Sequence, residues 1–156
     1  MTILNDMPDF FQKNKEKELQ TETEILAAKA AAAIADLTDT YLAQVEQDIL
    51  VMHALLKQAA HAKPIPRFHA IRDDFFVKVH DLKGQGATFG YPLLTDLGAW
   101  ACDYLRQKKE ITDKDLQVLT RMLADIETVY QKRLTNDGGD MGIQIRQHLE
   151  QGSYDR

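Results

Sequence analysis

A histidine, a lysine and a glycine lie within the five-residue stretch HDLKG at positions 80–84. Side chains three and four residues apart are neighbours on a helix surface, so in a helix His80, Lys83 and Gly84 share one face. A histidine side chain titrates near neutral pH, and its neutral ring can act as a nucleophile. Attack on an acyl phosphate would give a phosphohistidine, and a neighbouring lysine could neutralise the phosphoryl oxygens. The stretch predicts a nucleophilic His80, a cation at Lys83 and, at Gly84, a gap that another protein's backbone could approach.

A helix predicted over residues 67–88 must present these side chains. At ~100° per residue its apolar positions fall in a sector of roughly 80°, and His80 lies about 145° from the centre of that sector. The apolar positions are Phe68, Ile71, Phe75, Val79, Leu82, Gly86 and Phe89. We therefore expect His80 to point away from the core. A glycine inside a helix costs about 1 kcal/mol against alanine, so partner contact at Gly84 and tight helix packing at Gly86 must outweigh that cost.

Other side chains near His80 on this helix predict a surface for a partner protein. Phe76 and Val77 lie one turn before His80, and Asp73 and Ala87 lie two turns away on either side. The core needs neither Phe76 nor Val77, and exposed apolar residues often mark interaction surfaces. The alternative for these two side chains is packing under the N-terminal segment or under another helix.

The remainder of the chain is predicted to form helices joined by short loops. Residues 1–20 are predicted to be an N-terminal arm or a short helix. Thr21 with Glu24 resembles a capping box, which would begin the next helix there. Residues 21–61 fit either one long helix or two helices separated near residues 38–39.

Three more helices are predicted at residues 92–108, from a capped start at residues 111–116 to Leu134, and at 140–150, with Ile111 and Leu116 as a hydrophobic staple at the start of the second of them. Amphipathic helices with short connections are typical of antiparallel bundles. The sequence therefore predicts an all-α fold, an antiparallel four-helix bundle with additional N-terminal and C-terminal helical segments. We assign residues 21–156 to this single domain.

Composition excludes several classes of function. The net charge of −5 argues against nucleic acid as a partner, because phosphate binding needs a basic surface. The single cysteine, Cys102, cannot form an internal disulfide and is expected in the core, which suits a reducing cytosol. No apolar run approaches the ~20 residues that span a bilayer. The N-terminus lacks the pattern of a signal peptide, so we expect a cytoplasmic protein without a membrane partner.

No metal or cofactor site is expected on this chain. His69 and Asp73 lie on the same helix face as His80, but His69 and His80 are separated by ~16 Å along the axis, too far to bind one ion together. The sequence also lacks a P-loop pattern, so we expect no phosphorylation from ATP alone.

The stretch from His80 to Gly84, followed by Gly90, resembles the motif H-x-L-K-G-x5-G of histidine-containing phosphotransfer (HPt) domains. The helical pattern from about residue 34 to 134 is similar to the bundle of that family, and the segment HDLKGQGATFGYPLL resembles the corresponding sequence of its free-standing bacterial members. Gln85 and Gly86 depart from the small serine or alanine residues common there. Gln85 could add a hydrogen bond near the site or simply be solvated. The first 30 or so residues lie outside the resemblance.

The resemblance implies a phosphorelay intermediate with no autokinase activity. His80 would accept a phosphoryl group from the aspartate of a receiver domain and pass it to another receiver, with Lys83 steadying the group and Gly84 leaving room. The implied partners are response-regulator receiver domains and a hybrid sensor histidine kinase, with Mg²⁺ on the receiver. A helical binding module that docks on a receiver or kinase without carrying phosphate is the alternative. Most carriers of this family are monomers, although a long N-terminal helix could pair.

Overall fold

The computed structural model describes residues 8–61, 65–152 and 154, with the side chains of residues 65–68 outside the description. Within these residues the regular structure is entirely helical, as predicted. The helices are α1 Asp9–His61, α2 Ile65–Gln85, α3 Pro92–Arg106, α4 Asp113–Gln131 and α5 Gly139–Gln151, with one 3-10 turn at Ala87–Phe89 between α2 and α3. None of these helices is long and apolar enough to cross a membrane.

Helix α1 is a single helix that begins at Asp9, twelve positions before the predicted start at residue 21. The capping box predicted at Thr21 is wrong, because the Thr21 hydroxyl donates to the carbonyl of Lys17 at 2.8 Å inside the helix. The Thr38 hydroxyl likewise donates to the carbonyl of Ile34 at 2.8 Å. Of the two alternatives for residues 21–61, the unbroken helix is the one observed, since threonine hydroxyls can bond one turn back without interrupting a helix.

The chain divides into two units, Met1–Thr40 and Tyr41–Arg156, so the boundary falls inside α1. Burial changes at this boundary. From residue 8 to residue 40 the side chains are exposed, apart from Gln12 and Thr38, which are half-buried. From Tyr41 onward, α1 buries a side chain at nearly every turn.

The second unit has one apolar core, to which four helices contribute a stripe each. At its centre are side chains that are fully enclosed: Val45, Met52, Phe75, Val79, Leu82, Leu93, Leu94, Leu97, Val118, Met122, Leu123 and Ile126. Helix α5 adds Ile145, and Tyr154 beyond it is 3% exposed. The predicted four-helix bundle with an added C-terminal helix is confirmed, and so is the burial of Cys102.

A buried ion pair joins α1 to α2 in this unit. The carboxylate of Asp48, 5% exposed, accepts from Lys78 Nζ at 2.9 Å and from Gln44 Nε2 at 3.0 Å. A buried carboxylate is tolerated when it is paired and hydrogen-bonded, and removing one partner of such a pair is costly. Lys78 lies two residues before His80, so this contact helps to fix the rotation of α2 about its axis.

Helix α4 has the capped start that the sequence predicts at residues 111–116, and the structure shows that Thr112 is the cap, in a capping box with Asp115. The Asp115 amide donates to Thr112 Oγ1, and Asp115 Oδ2 accepts from the Thr112 amide at 2.8 Å. Burial alone would raise the pKa of Asp115, but hydrogen bonds from Tyr104, Thr112 and Lys108 outweigh it and bring that pKa to about 2. The helix ends at Gln131, three residues before the predicted end, because Arg133 has a positive φ of 51°.

Candidate functional site

His80 lies on α2 with its side chain exposed, as the helical geometry predicts. Its neighbours Val79 and Leu82 are 0% and 1% exposed and face the core. Within the described residues, no side chain or backbone group hydrogen-bonds the imidazole, and its nearest aromatic neighbour is Phe76, with ring centroids 6.0 Å apart. The ring is therefore open to an incoming partner on a helix that the core holds in place. We call the exposed side of α2 that carries His80, Lys83 and Gly84 the histidine face.

The backbone beneath His80 is held by a close approach of α3. A Cβ atom added at Gly98 would lie 2.6 Å from the Val79 carbonyl oxygen and 2.6 Å from the Lys83 amide nitrogen. Real Cβ atoms essentially never come so near to backbone, so only glycine permits this approach. Gly98 thus presses α3 against the turn of α2 that bears His80. Gly98 was not predicted from the sequence: the pattern of α3 shows a glycine inside an amphipathic helix, but it does not show which backbone lies opposite.

The end of α2 is fixed by a second close contact. A Cβ at Gly86 would lie 2.8 Å from both the Tyr91 carbonyl oxygen and the Thr95 amide nitrogen, which confirms the predicted packing role of this glycine. The Tyr91 amide donates to the Gly86 carbonyl at 2.9 Å. Gly90 has a φ of 86°, a left-handed conformation that favours glycine, and it caps the 3-10 turn before α3. The last glycine of the HPt-like motif therefore turns the chain.

Gly84 differs from both of these glycines. Among the residues that the structure describes, a Cβ added there meets no atom within 4 Å. The position is exposed, so the glycine is not required by packing inside this chain. It leaves the bare spot beside His80 that the sequence predicts.

Two cations lie near the histidine face. Lys83 is exposed one turn after His80, and the guanidinium of Arg106 from α3 stands 5.3 Å from the centre of the Phe76 ring. Burial raises the pKa of the Cys102 thiol, while the charges of Arg106 and Lys83 act in the opposite direction. Arg106 therefore adds a positive charge beside Phe76, one turn before His80 on α2. The sequence analysis did not identify Arg106, because its proximity to α2 depends on the packing of α3.

The predicted partner-contact residues fall into two groups. Val77 is 53% exposed and Gln85 is exposed. Phe76 is half-buried against the core and covered by Arg106, so the expectation that the core does not use it is wrong. Asp73 is exposed and already paired with Arg72 at 3.0 Å.

Ala87 was predicted to lie on the helix of residues 67–88, but it lies outside α2. The helix ends at Gln85, and Ala87 is the first residue of the 3-10 turn. It is exposed, and its amide donates to Thr95 Oγ1 at 2.8 Å. The buried stripe is otherwise as predicted, with Phe75 1% exposed; Phe89 is half-buried and stacks on Tyr41 with centroids 4.5 Å apart. The predicted burial of Phe68 lies outside the described side chains.

Metal binding is not supported by any cluster in the part of the chain that the structure describes, where no three histidine, cysteine or acidic side chains converge. His69 is exposed near the start of α2, three turns from His80. The other described histidines that have a partner each bind a single carboxylate, His53 to Glu127 at 2.6 Å and His148 to Asp125 at 2.8 Å.

The fold and the site define a class of protein: a helical bundle that displays a histidine outward, beside a cation and an uncovered glycine. A family model described as "Hpt domain" matches residues 36–129, which include the whole histidine face. The chain belongs to the Hpt domain family. The comparisons found no matching curated protein and no matching solved structure. Hpt domains are phosphocarriers of two-component signalling that interact with receiver domains and kinases.

Proposed function

We propose that this protein is a cytoplasmic phosphorelay intermediate that accepts a phosphoryl group on His80 from a receiver-domain aspartate and passes it to another receiver. The observation that carries the proposal is the exposed imidazole of His80 on a helix that is fixed from below by Gly98 and lies within the family match. A nucleophile on a rigid element keeps its orientation when a partner docks.

The transfer step requires a neutral ring nitrogen of His80 to attack the phosphorus atom of an aspartyl phosphate. The N–P bond forms as the P–O bond to the aspartate breaks, and the aspartate leaves as a carboxylate. The second ring nitrogen holds the remaining proton. Transfer to the next receiver reverses these bond changes. Phosphoryl transfer depends mainly on positioning and on charge stabilisation, so the chain needs to supply little covalent chemistry beyond the nucleophile.

Lys83 and Gly84 have distinct tasks in this proposal. Lys83 neutralises phosphoryl oxygens from the next turn of α2, and Mg²⁺ on the receiver balances the rest of the charge. Gly84 admits the receiver backbone because no atom of the described residues lies within 4 Å of the place where a Cβ would be. Val77 and Gln85, both exposed, contact the receiver around His80, and Asp73 and Ala87 lie at the edge of the same contact. Phe76 contributes to this receiver contact only by the part of its ring that the guanidinium of Arg106 leaves uncovered.

The direct test incubates the full chain with receiver domains that carry a radiolabelled phosphoryl group from a small acyl phosphate, with Mg²⁺ present. We expect wild-type protein to take up an acid-labile, alkali-stable label, and His80→Gln to take up none. His69→Gln is the matched control, since it makes the same change at another exposed histidine of α2 and should leave labelling intact.

Three results would contradict the proposal. Labelling of His80→Gln would place the phosphoryl group on another residue. Labelling by ATP alone would make the protein a kinase rather than a carrier. Tight binding to a panel of receivers without any transfer, unchanged in His80→Gln, would favour the binding module instead.

A further inference from the structure

The first unit of the chain exposes several large hydrophobic side chains, none of which belongs to the histidine face. Seven large hydrophobic side chains of α1 before Tyr41 are at least half exposed: Phe10, Phe11, Leu19, Ile25, Leu26, Ile34 and Leu37. Soluble proteins rarely leave a contiguous apolar surface uncovered unless it binds something. Since helices are stabilised mainly by burying an apolar face, this part of α1 gains stability if its apolar side is covered.

Three of these side chains, Leu19, Leu26 and Leu37, lie on one heptad pattern together with alanine and threonine residues. Alternating steps of four and three residues connect Leu19, Thr23, Leu26, Ala30, Ala33, Leu37 and Thr40. This 3.5-residue period is the signature of a helix that packs against another helix in a coiled coil. We call these seven positions the α1 seam. The Hpt family match begins at residue 36, so most of the seam lies outside the part of the chain that the family describes.

Six of the seven positions of the α1 seam, those from Thr23 to Thr40, are symmetric about a point between residues 31 and 32. In an antiparallel pair centred there, Leu26 faces Leu37 of the second helix, and Ala30 faces Ala33, each contact occurring twice. A two-fold contact between identical chains requires such self-complementarity, in which residue i meets j and j meets i. Small alanines at the centre let the helices come close, and leucines flank them on both sides.

The charged residues beside the seam favour the same antiparallel arrangement. In the antiparallel register Lys29 of one helix flanks the seam opposite Asp36 of the other, again twice by symmetry. Both side chains are exposed and available. In a parallel pair these flanking positions would instead face Ile34 or Tyr41 and make no ion pair. Flanking charges of this kind set partner choice and orientation in coiled coils.

We propose that the α1 seam binds a second copy of this chain, forming an antiparallel homodimer through residues 23–40. The inference is independent of phosphotransfer at His80, because no seam residue belongs to the histidine face. A homodimer differs from the monomer that the family resemblance implies, and it agrees with the alternative that the long N-terminal helix pairs.

Sedimentation equilibrium of the full chain from about 1 to about 200 µM tests the proposal. We expect the mass to rise with concentration from 17.7 kDa towards twice that value. Leu26→Glu with Leu37→Glu should remain at the monomer mass throughout, and circular dichroism should show intact helix because glutamate is a good helix former. Ile25→Glu is the matched control: Ile25 is 50% exposed and adjacent to Leu26, but lies off the seam.

Charge reversal tests the orientation. Lys29→Asp places like charges together at two symmetric points and should weaken the dimer about tenfold. Combining Lys29→Asp with Asp36→Lys should restore the wild-type dissociation constant to within about threefold. A wild-type chain that stays monomeric at about 200 µM would overturn the proposal. Equal loss of the dimer in Ile25→Glu, or no effect of Lys29→Asp, would overturn the antiparallel seam.

Discussion

Two glycines on facing helices should respond in opposite ways to the same substitution. Gly98 on α3 lies against the α2 backbone, whereas Gly84 on α2 faces open space. Replacing either by alanine removes the glycine propensity cost, worth up to about 1 kcal/mol. Only at Gly98 does the new methyl group meet backbone atoms. The pair therefore separates the packing role from the surface role with the smallest possible change.

The magnitude at Gly98 follows from the distances. The new Cβ would lie 2.6 Å from two backbone atoms, about 0.8 Å closer than the 3.4 Å at which ordinary contact begins. Both neighbours belong to the α2 backbone and cannot rotate away, so α2 and α3 must separate. Overpacking of this kind costs about 1–3 kcal/mol, and after subtraction of the propensity gain we expect Gly98→Ala to lose about 1 kcal/mol, and at most about 2 kcal/mol. Gly84→Ala should gain about 0.5–1 kcal/mol.

Urea unfolding, with comparable m-values required, gives both free energies of unfolding. Transfer from a phosphorylated receiver then adds a functional measurement. Gly98→Ala should slow transfer even where it remains fully folded, because the turn bearing His80 moves. Gly84→Gln should keep wild-type stability or better and yet slow transfer, by filling the space beside His80. If Gly98→Ala proved as stable as Gly84→Ala, the close approach of α3 would not constrain α2. Normal transfer by Gly84→Gln would contradict the proposed receiver approach.

Two further predictions concern buried polar groups of the second unit. Burial, with Asp48 and Tyr91 nearby, raises the pKa of Tyr41 to about 12, and its buried hydroxyl has no hydrogen-bond partner among the described residues. Because an unpaired buried hydroxyl is unfavourable, Tyr41→Phe should raise the free energy of unfolding in urea by about 1 kcal/mol. A loss of stability would mean that the hydroxyl has a favourable partner. The pKa of Asp115 is lowered to about 2 in the folded state, below the value of 3.8 for a free carboxyl. The ionised carboxylate therefore contributes about 1–2 kcal/mol to the free energy of unfolding above about pH 4, and this contribution is lost as the pH falls towards 2. The stability difference between wild type and Asp115→Asn should shrink over that range, and a difference that does not depend on pH would show that the charge is not what matters.

Much of the histidine face could be predicted from the sequence because it depends on local helix geometry. The apolar stripe from Ile71 to Leu82 fixes which side of α2 is buried, and His80 must then lie on the other side. The same reasoning failed at Phe76, which the stripe leaves out but Arg106 covers from α3. Gly98 was missed for a related reason. Its importance depends on which backbone lies opposite, and no pattern within α3 specifies that.

The N-terminal boundary shows where propensity and burial give different information. The Thr21 and Glu24 pattern has the residue types of a cap, yet a cap forms only where the preceding backbone leaves the helix. Here the residues from Asp9 onward are good enough helix formers to continue through it, and Thr21 bonds back to Lys17 instead. The family match begins near the position where α1 starts to enter the core, at Tyr41. The start of α1 at Asp9 is therefore set by local helix propensity, whereas the start of the Hpt bundle near Tyr41 is set by the burial of side chains. These two boundaries lie about thirty residues apart because different forces determine them.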